Sequence, residues 1–111
     1  MTLRDDIVRS DDLPLKAIKV PEWNVTVYLR TFSGKERNDL SMLTDKDPSV
    51  KAIKILAASL AGETGDRIFA DTEADLALLA GKKASVIDRL LTEVLVHNGM
   101  AEAAVEEAEK N

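Results

Sequence analysis

The chain has 111 residues, 45% of them apolar and 32% charged, with a net charge of −5 and no cysteine. That length suits one modest core, with roughly 60–70% of the unfolded surface buried on folding, and the balance of apolar to charged residues is that of a folded soluble chain, not a disordered one. Absence of cysteine excludes disulfides, thiolate metal sites and cysteine nucleophiles, and an acidic surface without a basic stripe argues against nucleic acid, whose binding needs Lys and Arg to displace counterions.

The charge is unevenly spread. Residues 1–44 carry seven basic and seven acidic groups, residues 45–99 seven and nine, and residues 100–111 one and four, so much of the excess gathers at the end of the sequence. The opening MTLRDDIVRSDD mixes charges from the start, and no apolar run approaches the ~20 residues of a spanning helix. Neither export nor a membrane partner is expected.

In chain order, Ala17-Ile18-Lys19-Val20 and Val25-Thr26-Val27-Tyr28-Leu29-Arg30 alternate in polarity, the second rich in β-branched residues, and both read as strands. Pro21-Glu22-Trp23-Asn24 between them is turn chemistry, Pro fixing φ and Asn tolerating a left-handed conformation. The pair predicts a β-hairpin. Trp23, Val25, Val27 and Leu29 share one parity and Asn24, Thr26, Tyr28 and Arg30 the other, so one face should be buried, and helices must cover a hairpin that is marginal alone.

Ser33-Gly34-Lys35-Glu36 has capping-box spacing and predicts a helix from about Lys35 to Met42 or Leu43. Thr44 to Asp47 breaks it, and Asp47-Pro48 opens another helix as cap and first helical residue. There Val50, Ile53, Ala57 and Leu60 form one stripe with Leu56 beside it, and Gly62 is the expected stop. Glu63 to Phe69 reads as a polar turn leading into a short extended piece. Asp71 or Thr72 caps a helix running to Leu79 or Ala80, with Gly81 as its stop.

Lys82 to His97 gives the strongest helical pattern, with Val86, Ile87, Leu90, Leu91, Val94 and Leu95 on one wide face, and Asn98-Gly99 as its C-cap. Residues 1–99 therefore read as one α+β domain, mainly helical, with an N-terminal β-hairpin packed against about four α-helices. Residues 100–111 read as an acidic tail, either a frayed helix or disordered, with Val105 its one sizeable apolar side chain.

Catalytic chemistry finds little footing. His97, the sole histidine, falls at a helix C-terminus where an imidazole interacts favourably with the dipole, and capping or surface duty outweighs catalysis because no acid, base or nucleophile has matching spacing. No metal site is expected, since one histidine without cysteine cannot build a structural zinc site, and Asp5-Asp6, Asp11-Asp12 and Glu106-Glu107 lack the calcium-loop pattern. No cofactor site is expected either. Gly81-Lys82 fails as a phosphate loop, because Leu76 stands where the first glycine belongs and Lys83 where Ser or Thr should follow.

Surfaces remain. Trp23 lies in the turn, and Tyr28 and Phe32 have the parity opposite Val25 and Val27. Their burial between helices and their exposure at an interaction site are about equally expected. The face carrying Leu91 and Leu95 is expected mainly in core packing, with a groove for a partner helix as the other reading. Trp23, Tyr28, Phe32, Leu91 and Leu95 are the candidate partner-binding residues.

Leu3-Arg4-Asp5-Asp6-Ile7, Val20-Pro21-Glu22-Trp23, the Val25–Arg30 strand, Ser33-Gly34-Lys35-Glu36-Arg37, Asn98-Gly99-Met100 and the Val105–Asn111 ending together resemble the tail assembly chaperones of long-tailed bacteriophages and prophages. The resemblance runs nearly end to end and is sharpest in the hairpin and the tail; Asn24 stands where the family has glycine, and Asn also accepts positive φ. It implies a non-enzymatic protein of the bacterial host cytoplasm, absent from the mature virion, that coats the tape measure protein, keeps it soluble and helps recruit tail tube subunits. A homo-oligomer wrapped along that client is compatible with it, and so is a longer form made by frameshifting near an A-rich run encoding Glu109-Lys110-Asn111. The alternatives are a structural virion protein, such as a head-tail connector or tail completion subunit, and, less favoured, an acidic inhibitor.

Overall fold

In a computed structural model that describes residues 2–43 and 47–100, the elements run α1 (Leu3–Arg9), β1 (Lys16–Val20), a single 3-10 turn (Pro21–Trp23), β2 (Val25–Leu29), α2 (Gly34–Ser41), α3 (Pro48–Ser59), β3 (Leu60–Ala61), α4 (Glu73–Ala80) and α5 (Ala84–His97). The fold is α+β and mainly helical, as the sequence leads one to expect. The break at residues 44–46 and the tail over residues 101–111 lie outside the described residues.

β1 and β2 form the expected antiparallel hairpin, with Ile18 opposite Val27 and Val20 opposite Val25. Asn24 turns the chain in the left-handed region at φ 54°, a conformation in which Asn is among the least costly residues after glycine. Alternation then sorts the sheet: Ile18, Val20, Val27 and Leu29 face the core, and Ala17, Lys19, Thr26 and Tyr28 face outward. Val25 belongs to the inner parity but stays 48% exposed at the turn end.

A third strand extends the hairpin. β3 pairs antiparallel with β2, Leu60 opposite Leu29 and Ala61 opposite Tyr28, giving the order β1-β2-β3. The sequence pattern places Leu60 on the stripe of the preceding helix, but α3 stops at Ser59 and Leu60 is extended (φ −70°, ψ 127°). The free edge of β2 takes the segment for its own ladder, because a buried strand edge without partners would leave amides and carbonyls unpaired. Beyond β3 the chain turns at Gly65 (φ 88°), where Leu15 side-chain carbons come within 3.6 Å of the place a Cβ would occupy, and Ala61 bridges to Arg67.

α1 is the other addition to the expected elements. Thr2 and Asp5 form a reciprocal capping box, the Asp5 amide donating to Thr2 Oγ1 at 3.2 Å and the Thr2 amide to Asp5 Oδ2 at 3.4 Å, yet no α1 residue is buried.

The remaining helices begin where their cap residues fall. Ser33 and Glu36 close the capping box of α2, the Ser49 amide donates to Asp47 Oδ1 at the start of α3, and Thr72 caps α4. α5 ends on Asn98, with Gly99 at φ 68°. The core gathers Val20, Val27, Leu29 and Phe32 from the sheet side with Leu56, Leu60, Leu79, Val86, Leu90 and Val94 from β3 and the helices.

Candidate functional site

Three clasps fix α5 against the sheet. At its N-terminal half, Arg89 donates to both Glu22 oxygens at 2.6 and 2.9 Å, tying the helix to the hairpin turn. In its last turns, Lys16 of β1 meets Glu93 at 3.2 Å. At its end, the Phe32 amide donates to Asn98 Oδ1 at 2.7 Å, and His97 Nε2 lies 2.8 Å from Thr31 Oγ1. Thr31 spends its one hydroxyl proton on the Pro14 carbonyl at 2.6 Å, so the imidazole is the donor in the His97–Thr31 bond. His97 thus helps hold the helix end.

The Glu22–Arg89 contact shifts both partners. The Arg89 hydrogen bonds hold the Glu22 carboxyl down at about 2, and the same contact raises Arg89. Because the folded-state value lies below the ordinary 4.5, the pair's contribution is complete above pH ~4.5 and is lost as the pH falls toward ~2. Glu22→Gln should lower thermal stability modestly at pH 7, since an exposed pair contributes modestly, and converge on the wild type as the pH falls toward ~2, which flattens its acid slope. Melting temperatures at pH 2.5, 4 and 7 check this; an unchanged acid slope would remove Glu22 from the account.

The sequence-derived candidates do not form one patch. Phe32 is a core residue, 8% exposed, anchored beside Asn98 at the C-terminal end of α5. Trp23 sits half-buried against the core in the hairpin turn, with Lys82 Nζ 5.9 Å from its ring centroid. The turn is bound near the opposite end of α5 through Glu22 and Arg89, so Trp23 and Phe32 lie toward opposite ends of a helix about 21 Å long. Tyr28 is half-buried on the outer face of the sheet between Ala17 and Ala61. Leu91 and Leu95 are both half-buried on α5.

Leu91 leads to a groove, the lesser of the two readings that its helix face allows from the sequence. α3, α4 and α5 splay to leave an open groove of about 910 Å³. Its apolar lining comes from Val50 and Ile53 of α3, Leu76 of α4, and Ile87 and Leu91 of α5, with alanines between them from all three helices. Its rim carries both signs of charge: Lys54 and Lys82, and Asp71, Glu73 and Asp88. Val50 is 39% exposed, so the apolar stripe of α3 has its first turn in this groove. Trp23 stands near the mouth through Lys82.

A concave apolar floor with a mixed polar rim receives the apolar face of a helix or chain segment by burial, with the rim charges setting orientation. Among the described residues no three His, Asp or Glu side chains converge as a metal cluster, and no helix is long and apolar enough to cross a membrane.

A short antiparallel sheet clasped by one long helix, with further helices leaving an open apolar groove, defines a small α+β fold. Among solved structures, that of the bacteriophage HK97 tail assembly chaperone matches this chain with a TM-score of 0.60 at 19% identity, over 83% of this chain and 89% of that one. The chain therefore has the fold of a phage tail assembly chaperone, as its sequence resemblance implies. No family model matches the sequence, and no curated protein matches it.

Proposed function

We propose that this chain is a phage tail assembly chaperone that works by covering apolar helical surface on a client, the tape measure protein, and by helping to bring tail tube subunits to it. The observation that carries the reading is the α3–α4–α5 groove, an open and largely apolar hollow of about 910 Å³, on a fold matching that of a tail assembly chaperone. Covering such a surface makes and breaks no covalent bond. The net charge of −5 keeps loaded complexes apart while the groove engages the client. On this reading the protein acts in the host cytoplasm and is left behind when the tail is complete.

Co-expression with the tape measure protein tests it. With the intact chain the client stays in the soluble fraction, whereas with Val50→Asp/Leu91→Gln most of it pellets. Val50 occupies the third position of α3, where an added carboxylate suits the helix dipole, whereas Leu91 packs partly on the core, so Val50→Asp alone, with its melting temperature checked, keeps loss of fold apart from loss of client binding. Client solubility that is the same with and without the chain would overturn the proposal. Mass spectrometry of purified particles separates it from a structural virion role, since a chaperone is missing from them.

A further inference from the structure

α1 has no reason to be helical by itself. Seven residues are far below the ~12–15 at which an isolated helix becomes marginal in water, none of them is buried, and its large side chains Leu3, Ile7 and Val8 are 75%, 64% and 71% exposed. Leu3 and Ile7 stand one turn apart on one face, flanked by Arg4 on one side and Asp6 on the other. This apolar stripe with one charge of each sign beside it matches a groove whose apolar floor has both signs on its rim.

The groove of the same chain is badly placed to receive it. The base of the arm is held by Leu15 against Gly65, by Thr31 on the Pro14 carbonyl and by Lys16 on Glu93. At about 100° per residue, Glu93 lies roughly 140–240° around α5 from Ala84, Ile87, Asp88 and Leu91, the α5 residues that line the groove. The arm leaves the domain on the far side of α5 from its own groove, pointing at solvent.

We propose that α1 of one copy seats its Leu3–Ile7 stripe in the α3–α4–α5 groove of a second copy. The contact joins two different surfaces, so copies link head to tail or exchange arms reciprocally. A two-turn helix covers less than the ~800 Å² per partner of a standard interface, so each link is weak and a longer client helix displaces it. The pairing stands independently of which client the groove serves.

Because the chain has no cysteine, Asp11→Cys accepts a single nitroxide just beyond α1. Spin-labelled copies without isotope label are mixed with unlabelled copies carrying methyl isotopes. The expected result is paramagnetic broadening of Ile53, Ile87 and Leu91 methyls, growing with concentration. Leu3→Gln/Ile7→Gln on the spin-labelled copy abolishes it and weakens self-association in sedimentation equilibrium by at least about tenfold, with the melting temperature unchanged because α1 buries nothing in its own chain. Broadening seen only when both labels are on one chain would assign the groove to the chain's own arm and overturn the proposal. Absence of broadening at concentrations where copies associate, or a monomer throughout, would overturn it as well, leaving the client-binding reading untouched.

Discussion

Leu90→Ala should cost about 3–4 kcal/mol of folding stability. Leu90 is fully buried at the middle of α5, in the same cluster as Leu29, Leu56, Leu60 and Leu79. It therefore stands where sheet and helices converge. Removing its isobutyl group forfeits the transfer free energy of the lost carbons and leaves a cavity that the α5 clasps prevent from closing. A domain of this size has only about 5–15 kcal/mol in total, so the variant should unfold at a much lower urea midpoint with an unchanged slope. A loss below about 1 kcal/mol would mean that the cluster is not packed as described.

Arg30→Met should cost about 2–3 kcal/mol, by a different mechanism. Arg30 follows the end of β2 and joins three elements: its guanidinium donates to both Glu36 oxygens at 2.9 and 3.2 Å and to the Ala58 carbonyl at 2.7 Å, while its amide donates to the Ser59 carbonyl at 2.9 Å. It thus binds the α2 capping box to the point where α3 hands over to β3. Burial disfavours the Glu36 carboxylate, but the Arg30 hydrogen bonds and the Ser33 amide outweigh it and hold the carboxyl below its ordinary 4.5. Its stabilisation is present above that value and lost as pH falls through the lower folded-state one. Methionine keeps the stem's bulk and removes the donors, leaving a part-buried carboxylate and a carbonyl short of partners. The variant should also lose part of the wild type's acid sensitivity. Adding Glu36→Gln should recover part of the loss, a coupling that a double-mutant cycle reads directly. Additive effects would show that the two groups act separately.

Local chemistry made much of this fold readable. The hairpin follows from β-branched alternation around Pro21 and Asn24, α2 from Ser33 and Glu36, α3 from Asp47-Pro48, and α5 from its wide apolar face. Two elements escaped for identifiable reasons. Leu60 continues the helical spacing of Ile53 and Ala57, and only the vacant edge of β2, a tertiary fact, turns it into a strand. α1 is announced by a capping box at Thr2 and Asp5, but seven residues give too short a window for periodicity to register.

The groove was the least legible feature. Periodicity says that Val50, Ile53, Ile87 and Leu91 share faces of their helices, and it says the same whether that face meets a core or an open channel. The distinction depends on how far α3, α4 and α5 splay. Aromatic residues were a weaker guide than their clustering suggests: Phe32 serves the core and Trp23 braces the hairpin turn, so the surface with room for a guest is built from aliphatic side chains.

On the proposed function, the α3–α4–α5 groove is where the protein covers apolar helical surface on its client. Methyl-resolved NMR of the intact chain, titrated with a helical segment of the tape measure protein, tests this most directly. Shifts concentrated at Val50, Ile53, Ile87 and Leu91, and saturating together, are the predicted result. A client that binds while those methyls stay unmoved, or that fails to bind, would contradict the account.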